Sequence, residues 1–126
     1  MKNIKRFLTL EGRLLLVIAI VLISRLALLP SSSIVPAAVS DKVLHFLAFY
    51  LLSLLVDFAF PKASFNAVKI MFLLGYGVAI ELVQSFFPYR SCSFADIAAD
   101  AAGIAVYLFS IPLLMRIPFI RERWSS

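Results

Sequence analysis

Four apolar runs follow one another along the chain, each interrupted by polar residues at only a few depths. Leu14–Leu29 is apolar apart from Ser24 and Arg25 and stops at Pro30. Val43–Phe60 admits His45, Ser53 and Asp57 and stops at Pro61. Ala67–Phe87 carries Lys69, Glu81, Gln84 and Ser85 before Pro88, and Phe94–Met115 carries Asp96, Asp100 and Ser110 with Pro112 near its end. A helix that crosses hydrocarbon needs roughly 20 mainly apolar residues. Bare backbone cannot sit in lipid, so each run predicts a helix. Proline suits the ends because it lacks an N–H and clashes with the preceding turn. The expected fold is all-α: a four-helix transmembrane bundle in one domain over residues 1–126.

Composition supports lipid as the solvent. The chain has 126 residues, 63% hydrophobic and 15% charged, with mean hydropathy +1.01. A soluble domain is about half apolar and about a quarter charged, and a core this small could not hide the excess. Cys92 is the lone cysteine, which excludes an internal disulfide and a cysteine-pair metal site. No internal repeat is evident, and Ser31–Ser33 is the only short biased run.

The net charge of +5 reads as topology rather than as nucleic-acid binding. In this arrangement Lys2, Lys5, Arg6, Arg13, Lys62, Lys69, Arg116, Arg121 and Arg123 fall on one side of the membrane. Arg25, Lys42 and Arg90 fall on the other. The basic side is expected to be cytoplasmic, with both termini inside a multi-pass protein of the inner (cytoplasmic) membrane. Trp124, beside the last arginines, fits an interfacial anchor. The first span has a basic start and small residues Ala37, Ala38 and Ser40 further on, as a signal peptide would. Its apolar stretch is longer than a usual signal, and Pro30 and three serines separate it from a cut site. Retention of the span is expected.

The polar residues gather at one depth. Arg25 lies near the outer end of the first helix, and Asp41, Lys42 and His45 open the second. Glu81 and Gln84 lie in the last turns of the third, Arg90 in the outer loop, and Asp96 and Asp100 in the first turns of the fourth. Asp41 and His45, Glu81 and Gln84, and Asp96 and Asp100 are spaced i,i+4 or i,i+3, so each pair shares a helix face. Charges at membrane depth are costly and usually face a bundle interior or wet cavity. All nine residues are therefore candidate ligand-binding groups, with His45 and Glu81 the catalytic candidates if the chain is an enzyme. The opposite half carries flanking lysines and arginines, with Asp57 the acidic exception.

Structural explanations compete. Asp41 and Lys42 suit an interface, Asp41 suits a helix cap, and Ser93 with Asp96 suits a capping box. Arg25 can snorkel to the headgroups. Glu81 and Asp100 can belong to a salt-bridge network with Arg25 or Arg90. Gly75, Gly77 and Ala79, with Ala95, Ala98, Ala99, Ala102 and Gly103, predict close packing of the third and fourth helices, holding Glu81 beside Asp100. The phenylalanines are expected to be lipid-facing bulk.

The combination DKVLHF at 41–46, ELVQ at 81–84, Arg90 and SFADIAAD at 93–100 resembles the VanZ-like family, typified by a teicoplanin-resistance protein. The likeness covers about residues 40–107. Asp100 is a departure, since many members carry Asn there. The resemblance implies a four-span fold and an association with resistance to lipoglycopeptide antibiotics, which act at the outer face. Three functions are open: binding of a lipid headgroup, lipid-linked cell-wall precursor or amphiphilic antibiotic; acid–base catalysis on a lipid-linked substrate; and proton- or ion-coupled transport. A metal variant would use His45, Glu81, Asp96 and Asp100, but their spacing matches no metal motif, so neither metal nor cofactor is expected. Membrane lipids are the expected partners, and nucleic acid is not.

Overall fold

The computed structural model describes residues 2–29, 41–88 and 94–125. Four α-helices make up the bundle: α1 (Lys2–Ala27), α2 (Asp41–Ala59), α3 (Ala67–Gln84) and α4 (Phe94–Leu114). A short 3-10 helix, Ile120–Trp124, follows. All four α-helices contain a stretch long and apolar enough to cross a membrane. Their outer surfaces expose side chains such as Val17, Met71, Phe72 and Phe109, which suits lipid and would be an association hazard in water.

The bundle is organised around α2, whose contact with α4 is the most extensive and whose contact with α1 comes next. The third and fourth helices, expected to pack closely, do touch, but less extensively than either of these pairs. Gly103 on α4 faces α2, not α3: a methyl group there would lie 2.4 Å from Phe46 O and 3.0 Å from Tyr50 N. Gly12 plays the same part between α1 and α2, where a methyl would sit 3.1–3.2 Å from Phe58 and Ala59. That crossing is one reason α1 starts at Lys2 rather than near Leu14. Its first turns pack on the end of α2, and Arg13 Nε donates to Ala59 O at 2.9 Å. The carbonyls of a helix's last turn need such outside donors.

The ends of α3 have local causes. The Asn66 side chain accepts from the Lys69 N–H, a standard N-cap. At the other end the Phe86 and Phe87 N–H groups bond three residues back, so the helix tightens and stops at Gln84 instead of Phe87. Pro112 lies inside α4.

α3 and α4 each bury one narrow stripe, whereas central α2 is buried nearly all round over Leu55–Ala59. On α3 it is Lys69, Leu73, Gly77, Glu81 and Gln84; on α4 it is Asp96, Asp100, Gly103, Ile104 and Tyr107. Both follow the three-or-four spacing of a helix face. Polar residues occupy the ends of the stripes and apolar ones the middle. There Phe49, Leu52, Leu73 and Ile104 form a packed layer with Leu16, Ala19 and Val56. Phe49 and Phe58 are buried while Phe86, Phe94 and Phe109 are exposed, so the phenylalanines serve both core and lipid-facing surface.

Candidate functional site

At the end where α3 stops and α2 and α4 begin, five ionisable side chains converge. His45 on α2 is central. Its Nδ1 lies 2.7 Å from Asp100 Oδ1 on α4. Its Nε2 lies 3.8 Å from Glu81 Oε1 on α3 and 3.9 Å from Asp96 Oδ2 on α4. Lys42, one turn before His45, reaches Asp96 Oδ1 at 2.5 Å with its own side chain 48% exposed. Glu81, Asp96 and Asp100 are all buried. Of the expected same-face pairs, Asp96 and Asp100 both reach the cluster, together with His45 and Glu81, and the imidazole stands between Asp100 on one side and Glu81 with Asp96 on the other.

Gly77 makes room for this arrangement. A methyl there would lie 2.7 Å from Asp100 Oδ2 and 3.2 Å from the Phe49 ring. The glycine on α3 thus admits the α4 carboxylate rather than bringing two backbones together.

The remaining candidates part company. Gln84 is buried, but its Nε2 donates to Ala27 O in the last turn of α1 at 2.9 Å. It ties α3 to α1 at the edge of the cluster. Its Oε1 finds no hydrogen-bond donor among the described residues. Arg25 is exposed, and none of the hydrogen bonds or ion pairs among the described residues uses its side chain. It lies off the buried stripe Leu8, Gly12, Leu16 and Ala19 of α1, so correct depth did not give it the correct direction. Arg90, Cys92, Ser93 and the residues around Ala37 lie outside the described residues, as does the side chain of Asp41, whose backbone begins α2.

His45, Glu81 and Asp96 each offer one ligand atom, and these atoms all lie within 4.8 Å of one another. Imidazole and carboxylate ligands suit zinc and related divalent ions. The Asp100–Nδ1 contact is the outer support that metal-bound imidazoles usually have. The same support also orients a histidine for proton transfer.

A second polar centre at the opposite end went unrecognised in the sequence. Asp57 is fully buried. Its Oδ1 accepts from Lys69 Nζ at 3.0 Å and Arg123 at 2.7 Å, and its Oδ2 accepts from Tyr107 at 2.6 Å. Arg123 Nε also donates to Asp57 O at 2.7 Å, and Lys69 Nζ donates to Phe60 O and Ala63 O. Lys69 and Arg123, counted among the basic residues at this end, are also buried partners of Asp57. Trp124 packs edge-on to Phe58 at a 5.5 Å centroid distance. The available signal was Asp57 itself, an acid in the last turn of an otherwise apolar run.

The chain matches the family model described as VanZ/LLP1 over residues 5–115. It is 34% identical over 111 residues to an uncharacterised protein of Schizosaccharomyces pombe. That match covers 86% of this chain and 65% of the relative, so the chain spans just under two thirds of the relative's length. No solved structure matches it. The matched stretch takes in all four spans and every member of the polar cluster, and the chain belongs to the VanZ/LLP1 family of membrane proteins.

Proposed function

We propose that the chain binds, at the outer face of a cytoplasmic membrane, the polar head of an amphiphile embedded there. The candidate ligands are a lipid-linked cell-envelope component or a lipoglycopeptide-type antibiotic. One observation carries this: Lys42, His45, Glu81, Asp96 and Asp100 converge from three helices at one end of an otherwise apolar bundle. Collecting charges at membrane depth costs free energy that packing alone does not require. The excess of lysine and arginine toward the other end supports outward placement of the cluster. Carboxylates and imidazole suit amines and sugar hydroxyls, while Lys42 suits phosphate. Lipid mass spectrometry of gently purified protein tests this against Glu81→Gln and Arg90→Ala. Enrichment of one headgroup class by the wild type alone is expected; identical lipid profiles in all three would overturn the proposal.

The contact between His45 Nδ1 and Asp100 favours one second reading, a small membrane enzyme. An imidazole held at Nδ1 directs Nε2 toward Glu81 and Asp96, where it can act as general base on a lipid headgroup. Turnover of the retained lipid, lost in His45→Ala while retention persists, would support catalysis. Retention without any product supports binding alone. Transport draws no support from the fold, because the apolar layer of Phe49, Leu52, Leu73 and Ile104 lies between the two polar centres.

A further inference from the structure

Between α1 and α3 lies a cavity of about 270 Å³ lined by Ser24, Ala27, Tyr76, Ala79, Ile80 and Val83. These two helices touch each other only sparingly, and Ala27 and Ala79 leave the gap open. The two hydroxyls in its wall bond each other, Ser24 Oγ to Tyr76 OH at 2.6 Å. Tyr76 OH also reaches Ile20 O at 3.3 Å. The lining is otherwise apolar. A cavity holds water well only when several polar groups converge on it, so at membrane depth this one suits hydrocarbon.

The cavity adjoins the polar cluster. Ile80 and Val83 line it, and the residues following them, Glu81 and Gln84, belong to the adjacent buried stripe of α3. Ala27 lines it and its carbonyl accepts from Gln84. Gln84 therefore stands at the seam, 1% exposed, with an acceptor oxygen that no described residue satisfies. Buried acceptors are nearly always satisfied in native proteins, so a donor from a bound molecule fits here. Among the described residues the cluster sets three carboxylates against Lys42 and His45, which favours a head carrying an ammonium as well as a phosphate. A volume below the roughly 300–1,000 Å³ of drug-sized sites fits part of one hydrocarbon chain. A relative in a fungus fits a lipid common to many membranes.

We infer that α1 and α3 grip one acyl chain of an amine-bearing zwitterionic phospholipid while its head enters the cluster around His45; this rests on the headgroup-binding reading above. The test uses the full chain in bilayers of phosphatidylethanolamine and phosphatidylglycerol, with a diazirine on the acyl chain of one lipid or the other. A charge-assisted hydrogen bond to an ammonium is stronger than one to a neutral hydroxyl. The ethanolamine lipid is therefore expected to label Ala79, Ile80 and Val83 about tenfold more than the glycerol lipid does. The lipid-facing Met71 and Phe72 are expected to show no such preference. Glu81→Gln removes the preference, and Ala79→Phe, or the milder Ala79→Leu, removes the labelling itself. Met71→Phe changes neither. Equal labelling by both lipids, preference for the glycerol lipid, or groove labelling indifferent to Glu81→Gln would each overturn the inference. If the Ala79 variants keep the co-purified lipid while Glu81→Gln loses it, the groove assignment fails and the headgroup reading survives. If neither substitution alters the lipid, both fail.

Discussion

His45 and Asp100 meet across the α2–α4 interface, with Nδ1 2.7 Å from Oδ1, and Gly77 of α3 keeps the space that this carboxylate occupies. The contact sets the direction of the imidazole and so the shape of the whole cluster. Asp100→Asn keeps an acceptor for Nδ1 at nearly the same volume. It is expected to fold and to lower ligand retention by about tenfold or less, the difference between a charged and a neutral hydrogen bond. Asp100→Leu keeps bulk but offers no acceptor and is expected to abolish retention. Ligand recovered per mole of purified protein measures both.

Three glycines separate packing from site geometry. Gly103→Ala presses on the α2 backbone and is expected to cost about 1–3 kcal/mol, as overpacking does. Gly77→Ala meets the movable end of Asp100 and is expected to affect ligand retention more than unfolding. Gly75 has no neighbour within 4 Å, so Gly75→Ala should be neutral or stabilise by about 0.5–1 kcal/mol through backbone entropy. Unfolding in detergent beside ligand recovery gives the order; a Gly77→Ala that only destabilises would disprove the role given to that glycine.

Asp57→Ala leaves Lys69 and Arg123 buried without their shared acceptor. Breaking a buried ion pair in this way costs about 3–5 kcal/mol, so the variant should unfold far earlier than the wild type. Replacing Asp57, Lys69 and Arg123 together with apolar residues of similar size should recover much of that loss. Failure of the triple variant to improve on Asp57→Ala would show that the centre does more than hold the 3-10 segment against the bundle.

The helices and the polar cluster were legible because both obey local periodicity. Spacings such as Asp96–Asp100 and Glu81–Gln84 settle a face without knowledge of the partner helix. What lay beyond reach was pairing over long separations. Arg123 binds Asp57 across 66 positions, and by composition it looks like any terminal arginine. Arg25 shows the complementary error, since a linear pattern gives depth well and direction around the axis only when the buried stripe is traced. A small residue such as Gly103 marks a helix contact in the sequence, but it does not say which helix it admits.

Sidedness gives a further prediction. In a Cys92→Ser background, Phe86→Cys lies at the cluster end and Lys62→Cys in the α2–α3 turn, both exposed. A thiol reagent that cannot cross membranes should label position 86 in intact cells and position 62 only after lysis. The reverse pattern would put the cluster inside the cell.

Native mass spectrometry of the full chain released from mixed-lipid nanodiscs tests the central claim most directly, because it weighs the complex. The account predicts one amphiphile of a single headgroup class per chain on the wild type. That adduct should be lost in His45→Ala and Glu81→Gln and retained by folded Phe109→Ala, a lipid-facing control. Adducts that follow the bulk lipid composition, unchanged by either cluster substitution, would contradict it.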